Sequence, residues 1–201
     1  MNRRLPTPAR LDAGSDSLGL LLCAALFLCG CAAGTVAAGL APPGDALTQY
    51  ISGVLPPEGG ARPLFPVVLL GVCKYHLAAL FFGFSLLGAL CIPGIVAMRG
   101  FFLCFSVSYI VRGFGLGGVP LALSMFALDA VFTVPCFFVM AVQSFSSSRR
   151  LLAGVLSRGG GESAYGSVFF RRCAVCAGVL CVSALLDTFF APMLIRYFVQ
   201  I

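Results

Sequence analysis

Four stretches of this chain run for about 20 residues or more with one charge at most, the length a helix needs to cross a bilayer core about 30 Å thick. Residues 18–40 and 77–98 carry no charge, residues 119–142 carry only Asp129, and residues 173–195 carry only Asp187. Backbone polar groups in lipid have no water to bond, so such stretches must close their hydrogen bonds within helices. A soluble fold is excluded by composition. With 60% hydrophobic and 10% charged residues and a mean hydropathy of +1.03, the 201 residues cannot cover a globule with polar surface. The expected fold class is all-α, a polytopic transmembrane helix bundle of about five spans forming a single integral membrane domain over residues 1–201.

The fifth span is short. It begins at Phe101 and meets Arg112, so it crosses only if the helix continues through the glycines at 113, 115 and 117 with the Arg112 side chain snorkelling outward; a kinked or re-entrant segment is the alternative. The apolar stretch over residues 64–98 exceeds one span and is interrupted by Lys74, Tyr75 and His76. We expect it to divide into an interfacial helix over residues 64–74 and the spanning helix that follows.

The net charge of +6 is distributed at the ends of apolar spans, so it reads as a topology signal and not as a nucleic-acid surface. Positive-inside bias places Arg3, Arg4, Arg10, Arg99, Arg149, Arg150, Arg158, Arg171 and Arg172 in the cytoplasm, and Arg62, Lys74, Arg112 and Arg196 outside. The expected layout is a cytoplasmic N-terminal tail (1–17), an exterior loop (41–63) broken by prolines, and a flexible Ser-, Gly- and Arg-rich cytoplasmic loop (146–172). The basic start followed by an apolar run imitates a signal peptide. Its apolar run is of membrane length, however, and so reads as an uncleaved first span.

The ten cysteines fall mostly inside proposed spans at irregular spacing, where a thiol behaves as a small hydrophobe. Cys173 and Cys176 have CxxC spacing without a second pair, and the one histidine, His76, is expected to mark a membrane boundary on the other side. No metal site and no cofactor are expected. Hydrolytic chemistry needs a nucleophile with its base or a set of ligands, and one histidine with two intramembrane aspartates supplies neither, so the chain is not expected to be an enzyme.

Asp129 and Asp187 are the residues that need a reason, because a carboxylate at mid-bilayer costs about 2.5 to 3.5 kcal/mol. They are expected to face the bundle interior or a partner, either on a proton or solute path or as hydrogen-bonded packing residues. Gly30 and Gly34 form a small-xxx-small face on the first span, which lets helices approach closely.

A set of motifs in order then points to a family. Gly83-Phe84-Ser85-Leu86-Leu87-Gly88 and Pro93 make a Gly-rich span with a proline, and Arg99-Gly100-Phe101 makes a basic turn into the next. Residues 109–118 make a Gly-containing loop, and Val134-Pro135 leads to Phe145-Ser146-Ser147-Ser148-Arg149. In the last span, Asp187 is followed by Pro192. This order resembles the stage II sporulation protein M family. Many relatives carry a Pro-Gln-Asn type turn in the fourth span where this chain has Ala127-Leu128-Asp129, so Asp129 either stands in for the amide or serves another role.

The resemblance implies a non-enzymatic scaffold in the mother-cell membrane that recruits and localises peptidoglycan-remodelling enzymes during spore engulfment. Its implied partners are membrane-anchored peptidoglycan hydrolases, the stage II sporulation proteins D and P, besides the lipid bilayer, and no nucleic acid. The first span and residues 42–63 are the expected contact surface. The alternative is a permease-like subunit working with a separate ATPase, with Asp129, Asp187 and the broken region around Gly115 lining the path.

Overall fold

The computed structural model describes residues 8–41, 65–156 and 167–199. Every regular element among them is helical. In chain order they are α1 (Pro8–Leu40), α2 (Phe65–Gly83), α3 (Gly88–Phe114), a short 3-10 turn (Gly115–Gly117), α4 (Gly118–Leu128), a π-turn (Asp129–Thr133), α5 (Val134–Leu156) and α6 (Ser167–Val199). By length and apolar composition, the segments Ser17–Leu40, Gly88–Ala127, Ala130–Leu152 and Ser167–Phe189 can cross a membrane, and Val68–Gly83 is a shorter apolar helix. Large apolar side chains face outward on every helix, among them Leu21, Leu28, Leu70, Phe81, Leu90, Leu123, Val155 and Val175. That surface suits lipid and not water.

The direction of each helix follows from which residues meet. The backbone of Phe27 lies against Gly100, and the end of α1 at Ala38 and Gly39 meets Arg112 at the end of α3, so α1 and α3 run the same way. Gly19 and Phe27 of α1 meet Phe145 and Phe138, so α5 runs opposite to α1. Phe84 meets Phe169, Cys176 meets Cys136 and Ser183 meets Thr133, so α6 runs opposite to α5. Helices α1, α3 and α6 thus point one way, and α2 and the α4–α5 arm the other. The packed core of Cys23, Ala79, Ile92, Val96, Phe137, Ala141 and Phe145 joins α1, α2, α3 and α5. A second cluster, Ile110, Leu121 and Ala122, closes the hairpin of α3 and α4.

Two chain breaks fall elsewhere than charge placement suggests. The stretch over residues 64–98 does not divide at Lys74-Tyr75-His76 into an interfacial helix and a span. Residues on both sides of that triplet belong to α2, whose 19 residues rise about 28 Å at 1.5 Å per residue, close to a bilayer core. The break lies at residues 84–87 instead, and the expected span over residues 77–98 is cut there. Correspondingly, Arg99-Gly100-Phe101 is not a turn between spans but the middle of α3, and Pro93 lies inside the same helix. The short third segment over residues 101–118 is therefore the second half of a long helix plus its turn. At that turn Gly115 holds φ +60°, a backbone conformation that any Cβ would strain.

The Ser-Arg segment also differs from expectation. Residues 146–156, expected to open the flexible cytoplasmic loop, continue α5 as helix. Ser144, Ser147 and Ser148 recur at helical spacing on one buried face. Ser148 explains both features at once: its Oγ accepts from the Ala89 N–H at 2.8 Å and donates to the Ser85 carbonyl at 2.7 Å. One of the free N–H groups that begin α3 is thereby satisfied by a side chain from α5, a cap supplied across the bundle. Replacing Ser148 with alanine leaves a buried donor and acceptor unmatched, so we expect a loss of about 1–3 kcal/mol in thermal or denaturant unfolding of the detergent-solubilised protein. Ser148→Thr, which keeps the hydroxyl, is expected to lose less.

Residues 8–17 of the expected N-terminal tail are helical, as part of α1. The exterior loop over residues 42–63 lies outside the described residues, as do residues 157–166 of the expected cytoplasmic loop and Arg3, Arg4, Arg62 and Arg158.

Candidate functional site

The polar side chains that the membrane would exclude gather around the π-turn of the α4–α5 arm. Pro135 has no N–H to offer to the carbonyl four residues earlier, at Val131, and its ring crowds the preceding turn. The helix widens by one residue per turn over Asp129–Thr133, just before it. Thr133 at the end of this turn is fully buried. Its Oγ1 lies 3.4 Å from Ser183 Oγ of α6, and its carbonyl receives His76 Nε2 of α2 at 3.3 Å. The other ring nitrogen of His76, Nδ1, faces the Val72 carbonyl at 3.2 Å. Three helices are thus joined by hydrogen bonds at one level of the bundle.

His76 is the pivot of this seam. It is 2% exposed and presents its ring edge-on to Phe137, with centroids 5.5 Å apart. Far from marking a membrane boundary, it sits in the bundle interior. Both of its nitrogens face carbonyl oxygens, which only accept. A neutral imidazole carries one N–H and serves one of them, whereas the imidazolium serves both.

One residue earlier on α2, the half-buried Tyr75 meets two cations. The Arg99 guanidinium of α3 sits 5.0 Å from the ring centroid and the Lys74 ammonium 5.1 Å from it. This aromatic contact helps a buried charged side chain occupy the middle of a membrane-length helix. Arg112 takes a comparable role at the end of α1. Its Nη1 donates to the carbonyls of Ala38 and Gly39 in the last turn of α1 and of Ala41 just after it. A basic group that sequence alone sends outward to the interface has a defined partner.

The remaining sequence-derived residues are scattered. Gly30 and Gly34 of α1 face Ala97 and Phe101 of α3, and Gly100 of α3 faces Phe27 of α1. An added Cβ at any of the three would overlap a backbone carbonyl oxygen of the opposing helix. The small-residue face is therefore occupied within this chain, and Gly100 belongs to it. Pro135 shapes the π-turn. Asp187 is half-buried on α6, one turn beyond Ser183 and beside Thr188, which bonds its own helix at Ala184. The Asp129 backbone opens the π-turn and Pro192 lies within α6, but both side chains lie outside the described residues. Among the described residues no three His, Cys, Asp or Glu side chains come together as a metal site, and the cysteines are free thiols.

Sequence reasoning assigned no role to Thr133 or Ser183, read His76 as a boundary, and quoted Ser148 only within a motif. The signal for the last was present, since serines at 144, 147 and 148 repeat at the spacing of one helix face. No comparable signal links His76 to Thr133, which lie 57 residues apart.

A bundle of membrane-length helices with largely apolar outward faces, whose buried polar side chains bond across it, is a multi-pass membrane protein. Comparison with protein families gives the particular one. Residues 23–192, from within α1 to near the end of α6, match the family described as stage II sporulation protein M, and the chain belongs to that family of sporulation membrane proteins. No curated protein and no solved structure matches the chain.

Proposed function

We propose that the protein is a non-enzymatic scaffold that recruits and localises membrane-anchored peptidoglycan-remodelling enzymes during spore engulfment, in the mother-cell membrane with its N-terminus in the cytoplasm. The observation that carries the reading is the family match, which spans nearly the whole bundle. The architecture suits the role. The outward faces of α1, α2 and α6 carry apolar side chains against which another transmembrane helix can pack, while the bundle's own polar groups bond one another. The proposed partners are peptidoglycan hydrolases with membrane anchors, the stage II sporulation proteins D and P, which would meet this protein helix to helix.

The polar seam favours a second reading, a permease-like subunit driven by a separate ATPase, because a broken helix with buried polar groups at mid-bundle is where transporters place their sites. Cross-linking and purification of the tagged protein from sporulating membranes separates the two. We expect cell-wall hydrolases in the purified fraction. An ATPase recovered without wall enzymes would overturn the scaffold and turn attention to the seam.

A further inference from the structure

Helix α2 turns a second polar residue in the opposite sense to His76. Lys74 is exposed on the outward face of α2, in the middle of a 19-residue apolar helix. Among the described residues its ammonium faces no carboxylate and lies 5.1 Å from the Tyr75 ring. Along the same face stand Leu70, Leu77 and Phe81, 65%, 53% and 73% exposed. The spacing of 70, 74, 77 and 81 is that of a helix-packing seam. Beside Lys74, Gly71 is exposed, and a Cβ built there would meet nothing within 4 Å. A backbone can approach closely at that point.

The level of Lys74 in the membrane follows from its neighbours. Tyr75 carries the Arg99 guanidinium, Arg99 precedes Gly100, and Gly100 packs on Phe27, which lies near the centre of the apolar segment Ser17–Leu40. Lys74 is therefore at mid-bundle, about 14 Å from either end of α2 at 1.5 Å per residue. A lysine stem does not reach a lipid headgroup over that distance, so an anionic headgroup is the wrong occupant. The Lys74 ammonium therefore places a positive charge on the lipid-facing side of α2 at this level. The chemistry that answers it is a carboxylate carried at mid-span by another transmembrane helix.

We propose that the face of α2 formed by Leu70, Gly71, Lys74, Leu77 and Phe81 docks a transmembrane helix of a partner protein whose mid-span Asp or Glu pairs with Lys74. This deepens the scaffold reading by assigning the surface that holds a membrane-anchored partner, and it rests on that reading for the partner's nature. The face is distinct from α1 and from the exterior loop over residues 42–63, where sequence alone locates contact.

The test places a photo-crosslinking amino acid at Leu77 in the full-length protein, with Val182 on the exposed side of α6 as a control, in membranes of sporulating cells. The crosslinked peptide is sequenced by mass spectrometry. The expected adduct is an apolar span of another protein with Asp or Glu near its centre, with Lys74→Leu reducing its yield about tenfold and Lys74→Arg retaining it. Reversal to Lys74→Glu is expected to abolish the adduct, and exchange of the partner's carboxylate for lysine to restore it. Lys74 lies on the outward face, so these variants are expected to reach the membrane at wild-type level and to melt with the wild type.

Adducts with lipid only, with a second copy of this chain, or with a span lacking a carboxylate would overturn the proposal, as would a yield indifferent to Lys74→Leu. The two readings fail separately. Wall hydrolases still purifying with Lys74→Leu would remove the docking face and leave the scaffold. A carboxylate-bearing span crosslinked from a protein unrelated to the cell wall would remove the scaffold and leave the face.

Discussion

Gly30→Ala and Gly34→Ala are each expected to destabilise the bundle severely, by about 3 kcal/mol or more, and to lower the amount of folded protein extracted from the membrane. The reason is the mutual approach of α1 and α3. At Gly30 and Gly34 the hydrogen that occupies the Cβ direction points at the Ala97 and Phe101 carbonyl oxygens, and at Gly100 it points at that of Phe27. These are the positions of Cα–H···O contacts, which recur where two helices meet backbone to backbone. A methyl group at any of them would overlap main chain, which cannot swing aside as the end of a flexible side chain can. Lipid offers no hydrophobic drive to hold displaced helices together, so lost van der Waals packing is not recovered elsewhere. Thermal unfolding in detergent, followed by loss of native mobility, measures the effect. Gly39→Ala and Gly94→Ala are the controls, since a Cβ at either meets nothing within 4 Å. Equal melting of Gly34→Ala and Gly39→Ala would sink this account of the interface.

His76→Phe is expected to cost about 1–3 kcal/mol, and more than His76→Gln. Phenylalanine keeps the edge-on contact with Phe137 but removes the ring nitrogens, leaving the Thr133 carbonyl without the bond from α2. Glutamine can restore one donor. The site is dry, because Thr133 and Ser183 are fully buried and His76 is 2% exposed, so water does not replace the lost bond at low cost. The same unfolding measurement serves, together with proteolytic accessibility of the α4–α5 arm, whose π-turn is tied to α2 by this bond. If His76→Phe unfolds with the wild type, the ring is packing filler and the hydrogen-bonded seam contributes nothing.

Several features of this fold are legible in the chain because lipid imposes them. Uncharged stretches of membrane length must be helices, and all regular elements among the described residues are helical. The order of the motifs was enough to point to the family. What charge placement misjudged is where the helices end. Arg99 and Lys74-Tyr75-His76 read as boundaries because a lone charge in an apolar run usually is one. In the bundle Arg99 rests on Tyr75, and His76 bonds a carbonyl of another helix, so neither needs to reach water. Conversely, Phe84-Ser85-Leu86-Leu87 is nearly as apolar as the helices around it, and no local rule marks it as a turn. Ser148 of α5 stabilises that turn through the Ser85 carbonyl, 63 residues away.

The solvent, the helical class and the family can be read from the chain alone, because they depend on the length, composition and order of local runs. Tertiary structure decided which glycine face is consumed inside the chain, which charges are sheltered, and where the breaks between helices fall. Each depends on a partner group distant in sequence: Gly34 on Phe101, Arg112 on the carbonyls of Ala38, Gly39 and Ala41, Thr133 on His76 and Ser183. A buried polar group in lipid is tolerable only when its hydrogen-bond partner is in place, and only the packed bundle brings the two together.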